Sequence, residues 1–151
     1  ERFINKLFKT SNNIKFNILG IANENPKWNY DFYKELSKCK MALNLSRGKP
    51  IKYATSNRIA SLVANGIYTF IDRKTKFNDF FDESEMGFYK NENDLISKVE
   101  NLKSNDKKLY KYSKAGMKKY FKLFNNKLIT KYIIDRTFNL RDDRSQIWEK
   151  Y

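Results

Sequence analysis

The residues best suited to binding chemistry lie in one loop, which follows an apolar run at 41–45 and precedes a predicted helix start. The loop and the first turn after it combine hydroxyls, cations and a glycine: Ser46, Arg47, Gly48, Lys49, Lys52, Tyr53, Ser56 and Arg58. A helix amino terminus offers unpaired N–H groups and a partial positive charge, which together bind phosphate. Arginine adds bidentate contacts to phosphate oxygens. This loop is a candidate phosphate site, although an exposed basic loop with an ordinary serine cap explains the same residues equally well.

Composition limits the other kinds of catalytic chemistry. The 151 residues include no histidine, which excludes histidine metal sites and Ser-His or Cys-His nucleophile pairs within the chain. Cys39 is the one cysteine, so no internal disulfide can form, and a cytoplasmic location is expected. The acidic stretch 79–85 matches no standard calcium loop and is interleaved with phenylalanines. We interpret it as a loop pinned by aromatic residues, and we expect no metal site.

The net charge of +14 favours an anionic partner, such as nucleic acid, an acidic membrane surface or a phosphorylated ligand. Solvated surface charge explains the same number, and both interpretations stay open. The lysine-rich stretch 107–122 is a candidate membrane or nucleic-acid surface, but its lysines lie opposite an apolar stripe, which favours a solvated helix face. No apolar run approaches the roughly 18 residues that a transmembrane helix needs.

Hydrophobic periodicity predicts the elements that position the loop. Helices are predicted at 2–10, at 29–38 and from Ser56 to the stop signal Asn65-Gly66. The second is capped by Asn29 and turns three side chains inward, Phe32, Tyr33 and Leu36. Strands are predicted at 14–21, buried on both faces, at 41–45, at 67–71 and, more weakly, at 86–90.

This alternation of strands and helices predicts an α/β fold with a parallel, Rossmann-like sheet. Ligands bind such sheets beyond the carboxyl ends of the strands. Three loops then qualify as sites: 20–28, 46–56 and 72–85.

The second half of the chain is predicted to be helical. A helix capped by Asn91 or Asn93 is followed by a long helix with one buried stripe, which includes Leu109, Gly116 and Phe121, and by a helix at 128–138. We expect one domain over 1–140 and a charged helical tail at 141–151. Because the chain opens on Glu1 in mid-pattern, we expect it to be a fragment that lacks the first strand of its domain.

Two stretches, 41–48 and 56–70, resemble the carboxy-terminal domain of GT-B glycosyltransferases, in the family 1 group that includes the spore-maturation CgeB-like proteins. Those proteins carry an Arg-x-x-Glu-x-x-Ala-x-Gly pattern on a helix that leads into a strand. Arg58, Ala64 and Gly66 match it in register, and Ser61 stands at the position of the glutamate. Further similarity lies at 88–90 with Asp94-Leu95, at 120–125 and at 132–134, so that the resemblance covers about 14–138.

The resemblance implies a domain that binds a nucleotide-diphosphate sugar as donor substrate, with no other cofactor, in a cleft facing a second, acceptor-binding domain that this chain lacks. By this resemblance the donor-binding candidates are Ser46, Arg47, Lys52, Tyr53, Ser56, Arg58, Ser61 and Gly66. Transfer to a glycan, lipid or protein would need the missing amino-terminal domain. Peripheral contact with the inner membrane is compatible with the charge, and nucleic acid is not expected as a partner. The rival hypothesis is a non-catalytic basic module that binds nucleic acid or an anionic membrane.

Overall fold

A three-stranded parallel sheet forms the centre of the domain. The computed structural model of the chain describes residues 5–7, 9, 14–18, 25–46, 48–54 and 56–140. The strands are β1 (Met41–Asn44), β2 (Tyr68–Asp72) and β3 (Gly87–Tyr89), in the order β1-β2-β3. Strand β1 pairs with β2 in parallel, with Met41 opposite Tyr68, and β2 pairs with β3 in parallel, with Asp72 opposite Tyr89. All three strands therefore run in the same direction. Their carboxyl ends therefore meet at one edge of the sheet.

Helices surround this sheet and continue beyond it. They are α1 (Asn29–Leu36), α2 (Asn57–Val63), α3 (Glu92–Lys103), α4 (Asp106–Phe124) and α5 (Asn126–Thr137). Residues 5–7 and 9 are also helical. Two 3₁₀ turns, Arg73–Thr75 and Phe77–Asp79, connect β2 to β3. The architecture is the predicted Rossmann-like α/β arrangement followed by carboxy-terminal helices.

The central strand β2 carries the hydrophobic core on both of its faces. Tyr68 and Phe70 pack on one side, with residues of α3 and the start of α4. Ile71 packs on the other, with Ile59 and Val63 of α2. Because successive side chains of a strand point to opposite faces, a strand buried on both sides reads as a continuous apolar run. The apolar sequence at 67–71 predicted this strand correctly.

Helix α4 lies across the amino ends of the strands. Asp106 at its start accepts a hydrogen bond from Lys40, the residue before β1, at 2.7 Å. Further along, Gly116 packs against the backbone of Glu85, which lies shortly before β3. Gly66, shortly before β2, lies next to Met117 of the same helix. The amino edge of the sheet is therefore covered, while the carboxyl edge lies at the opposite pole.

The end of α2 confirms the predicted stop signal. Gly66 has a φ of +73° and donates its N–H to the carbonyl of Val63, while the N–H of Ile67 bonds to the carbonyl of Leu62. This is a Schellman motif, in which a glycine in the left-handed region satisfies the last carbonyls of a helix. Ile59, Leu62 and Val63 are buried, as predicted.

Several sequence predictions are wrong in the described residues. Residues 14–18 belong to no strand; Ile14, Phe16 and Ile18 are half-buried and Lys15 and Asn17 are exposed, so the alternation reflects one-sided packing without a hydrogen-bonded ladder. Trp28, not Asn29, is the N-cap of α1. Tyr33 is 50% exposed, and Phe121 is exposed rather than part of the buried stripe of α4. The predicted tail at 141–151 lies outside the described residues.

Candidate functional site

A cavity of about 570 Å³ opens at the carboxyl edge of the sheet. We call it the carboxyl-edge cavity. It is lined by Lys6, Leu45, Ser46, Gly48, Pro50, Asp72, Tyr89, Lys90, Asn91, Glu92 and Asn93. These residues come from the ends of β1, β2 and β3, from the first turn of α3 and from the amino-terminal helical residues. The ends of all three strands thus contribute residues to the cavity lining.

The wall after β1 is held in place by an arginine of α2. Arg58 donates from Nη1 to the carbonyl oxygen of Leu45 at 3.0 Å. Ser46 follows, with its side chain exposed, and Gly48 turns the chain with a φ of +76°. A guanidinium tied to the main chain fixes the backbone where it leaves the sheet. Arg58 therefore positions the Ser46 wall of the cavity.

The wall after β2 is a carboxylate. Asp72 accepts a hydrogen bond from the N–H of Lys74 at 2.8 Å, which caps the first 3₁₀ turn. Tyr89, its partner across the sheet, is buried. Burial, and to a smaller extent the negative charge of Asp72, raises the pKa of the Tyr89 hydroxyl to about 12. The phenol therefore stays protonated at neutral pH and lies close to Asp72.

The wall after β3 combines a tight helix start with a cation. Asn91 caps α3 by accepting a hydrogen bond from the N–H of Asp94 at 3.0 Å. The N–H of Lys90 donates to the Asp94 carboxylate at 2.9 Å, so the backbone is held on both sides of the cap. Within the described part of the chain, the Lys90 ammonium pairs with no carboxylate. It is an exposed positive charge at the rim of the cavity.

Lys6 also lines the cavity, next to the start of α3. Its ammonium lies 3.1 Å from the carboxylate of Glu92 and 3.2 Å from the side-chain oxygen of Asn93. These contacts join the amino-terminal helical residues to the start of α3. Lys6 is therefore a positioned cation whose charge is partly offset by Glu92.

The structure brings only part of the predicted site together. Ser46 lines the cavity, and Arg58 contacts its wall through Leu45. Ser56 occupies the N-cap position of α2, but its side chain does not cap the helix, which is only seven residues long. Arg47 lies outside the described residues.

The other predicted residues make contacts outside the cavity lining. The Lys52 ammonium lies 4.6 Å from the ring centroid of Tyr53, whose hydroxyl donates to Asp79 at 2.7 Å. Ser61 donates to the carbonyl of Asn57 in its own helix at 3.0 Å. Gly66 terminates α2 on the amino side of β2.

Sequence reasoning missed the β3 side of the cavity. Lys90, Asn91 and Asn93 line it, together with Lys6 from the start of the chain. A signal for the first three was present, because the predicted strand at 86–90 is followed directly by a predicted helix cap. The rule that ligands bind beyond strand carboxyl ends applies to that junction as it does to the loop after β1.

The described residues contain no cluster of three or more metal-ligating side chains. Among these same residues, no helix is both long enough and apolar enough to cross a bilayer.

Comparison with known proteins gives one match. A family model described as glycosyl transferase-like matches residues 1–135. No curated protein and no solved structure matches the chain. The match covers the sheet, the cavity and most of α5, and it is to the family as a whole, so the CgeB-like subgroup stays a prediction.

Proposed function

The chain belongs to the glycosyl transferase-like family, and we propose that its Rossmann-like domain binds the nucleotide-sugar donor in the carboxyl-edge cavity. One observation carries the proposal: the cavity lies at the carboxyl ends of all three parallel strands, where open α/β sheets bind nucleotides. Its volume of about 570 Å³ falls in the range of roughly 300–1,000 Å³ typical of small-molecule sites.

The diphosphate is assigned to the β3 side of the cavity, beside Lys90, with the Ser46 hydroxyl as a further donor from the β1 side. Among the described residues the Lys90 ammonium has no carboxylate partner, so it is a point charge available to phosphate oxygens, and a serine hydroxyl donates a hydrogen bond to them. Lys6 adds a second cation on the same cavity, although Glu92 offsets part of its charge. Arg58 acts through the backbone of Leu45 as a positioning residue.

The carboxylate side of the cavity suits the hydroxyl groups of the ligand. Asp72 would repel a diphosphate, but a carboxylate accepts hydrogen bonds from the ribose or from the transferred sugar. Among the described residues, its bonded partner is the N–H of Lys74, on one of its two oxygens. The cavity therefore offers lysine ammonium groups to phosphate and, at the end of the central strand β2, a carboxylate to hydroxyl groups.

Sugar transfer would use this charge distribution. The acceptor hydroxyl attacks the anomeric carbon, the bond from that carbon to the diphosphate oxygen breaks, and the electron pair leaves on the diphosphate. Cations beside that oxygen stabilise the charge that develops on it. The proton of the acceptor hydroxyl passes to a base, which we assign to the acceptor-binding domain of a two-domain GT-B enzyme. On this proposal the present domain alone binds the donor but does not transfer the sugar.

The proposal is tested by thermal denaturation of the chain with uridine, guanosine and cytidine diphosphates and their sugar conjugates. A ligand that binds only the folded state stabilises it by about 2.7 kcal/mol at roughly 100 times its dissociation constant. We expect one nucleotide to raise the melting temperature, with saturation at increasing concentration. The proposal fails when none of them shifts the melting temperature, or when nucleoside diphosphates shift it no more than inorganic pyrophosphate does.

A further inference from the structure

Helix α4 carries an uninterrupted stripe of lysines on its outer face. We call it the lysine stripe: Lys107, Lys111, Lys114, Lys118 and Lys122. Side chains three and four positions apart share a helix face, so these five point in one direction. Their spread over 15 residue steps corresponds to about 22 Å along the helix. The buried residues of α4, Leu109, Ser113 and Gly116, lie on the opposite face.

The charge of the stripe is not offset within the described part of the chain. None of its five ammonium groups pairs with a carboxylate there, and the one contact is that of Lys114 with the Tyr110 ring, at 5.6 Å from its centroid. By contrast, Lys119 on the side of the same helix pairs with Glu85 at 2.7 Å. Like charges three or four positions apart repel each other along a helix. A stripe of this kind is stabilised by an anionic surface outside the domain.

The next helix exposes its isoleucines to solvent. Ile129, Ile133 and Ile134 of α5 are 39%, 56% and 44% exposed. The half-buried side of α5 instead carries Leu128, Tyr132 and Asp135, and no residue of the helix is buried. A surface helix normally turns its aliphatic residues toward the core, and the outward isoleucines of α5 depart from this pattern.

We propose that α4 and α5 together dock the domain on an anionic lipid bilayer. Lysines are attracted to anionic headgroups, and exposed isoleucines gain by entering the boundary between headgroups and acyl chains. A polynucleotide would use the lysines but offers no environment for the isoleucines of α5. Lysines that pair with no carboxylate in the described residues, followed on the next helix by outward aliphatic side chains, therefore favour a membrane.

The lysine stripe of α4 and the carboxyl-edge cavity lie at opposite edges of the sheet. Helix α4 covers the amino ends of the strands, its stripe points away from the sheet, and the cavity opens at the carboxyl ends. A domain docked through the stripe keeps the carboxyl-edge cavity open to the aqueous phase. Membrane docking is thus independent of the proposed donor binding, and either can fail without the other.

The test is cosedimentation of the full chain with vesicles at low ionic strength. Vesicles of phosphatidylcholine with 30% phosphatidylglycerol are compared with vesicles of phosphatidylcholine alone. We expect binding to the first and little to the second, with release at high salt. The triple variant Lys111→Gln, Lys114→Gln, Lys118→Gln should lower the partition coefficient by roughly a hundredfold, since each lysine at an anionic surface contributes about a factor of five.

Two further variants separate this proposal from general charge attraction. The triple variant Lys9→Gln, Lys15→Gln, Lys34→Gln removes the same charge from exposed positions elsewhere and should keep most of the binding. Ile129→Ser with Ile133→Ser should lower binding without lowering the melting temperature. Equal losses from the two lysine triples would overturn the proposal, as would absence of vesicle binding or full binding by the isoleucine variant. Stripe-dependent binding of polyuridylate without vesicle binding would assign the surface to nucleic acid instead.

Discussion

Gly116 and Glu85 are in direct contact where α4 crosses the amino edge of the sheet. A Cβ atom at Gly116 would lie 2.0 Å from the carbonyl oxygen of Glu85 and 3.0 Å from its carbonyl carbon. Lys119, one turn further along α4, pairs with the Glu85 side chain at 2.7 Å. The close backbone approach at Gly116 thus sets the distance between α4 and the segment that leads into β3.

We expect Gly116→Ala to destabilise the domain by about 2 kcal/mol. Alanine gains roughly 1 kcal/mol in helix preference, but an overlap with backbone forces a shift whose cost lies at the upper end of about 1–3 kcal/mol or beyond it. For a domain of this size the melting temperature should fall by roughly 4–8 °C. Lys114→Ala, on the exposed face of the same helix, is the control and should stay within about 0.5 kcal/mol of the parent. A stabilised Gly116→Ala would contradict the observed contact.

Lys90→Ala should weaken the binding of the nucleoside diphosphate by about tenfold or more. A hydrogen bond to a charged group contributes roughly 1.5–3 kcal/mol, and the exposed position of Lys90 favours the lower end. Isothermal titration of the nucleotide found in the thermal screen measures the change. Lys34→Ala, an exposed lysine of α1, removes the same charge away from the cavity. Equal affinities of the two variants would show that Lys90 does not contact the diphosphate.

Ser61→Ala should leave nucleotide affinity within about twofold of the parent. The Ser61 hydroxyl donates to Asn57 in its own helix and does not line the cavity. A serine bonded back to the carbonyl four residues earlier contributes little to helix stability, so the melting temperature should also change little. A large loss of affinity would instead place the donor against α2, at the position where the resembling proteins carry glutamate.

Tyr53→Phe should destabilise the domain by about 1–2 kcal/mol. The Tyr53 hydroxyl donates to the Asp79 carboxylate at 2.7 Å, and its loss leaves a partly buried carboxylate short of one partner. The ring contact with Phe80, at 5.2 Å between centroids, is retained by phenylalanine. Urea denaturation gives the difference in unfolding free energy, with Tyr30→Phe at a 75% exposed position as the control. Equal stability of both variants would show that the Asp79 contact contributes nothing.

Acid should remove a contribution that Glu35 makes to stability. Hydrogen bonds from Lys38, then Lys27 and Asn17, lower the pKa of the Glu35 carboxyl from 4.5 to about 2. Because the folded-state pKa is lower than the unfolded one, this contribution is present above about pH 4.5 and is lost as the pH falls toward 2. The melting-temperature gap between the parent and Glu35→Gln should therefore shrink between pH 7 and pH 3. A melting-temperature gap that is constant across this pH range would contradict the lowered pKa of Glu35.

Local sequence signals predicted much of the fold. The apolar runs at 41–45 and 67–71 are strands β1 and β2, Gly66 ends α2, and Asn91 caps α3. Such features depend on residues close together in the chain, since caps and periodicity act over one or two turns. The loop after β1 was predicted from the same kind of local signal, since it lies between an apolar run and a helix start.

The sequence by itself determined the order of the elements, and with it the loops that follow the carboxyl ends of the strands. Only the tertiary structure decided which residues line the cavity there. The strand register places Asp72 beside Tyr89, so the end of β2 lies next to Lys90 and the start of α3. Lys6, which contacts Glu92, is more than 80 residues away in the sequence. At 14–18 the alternation predicted a strand, but no ladder forms there, because periodicity reports which side chains are buried and not which backbones pair. Local pattern thus specifies elements, whereas contacts between distant segments specify the cavity.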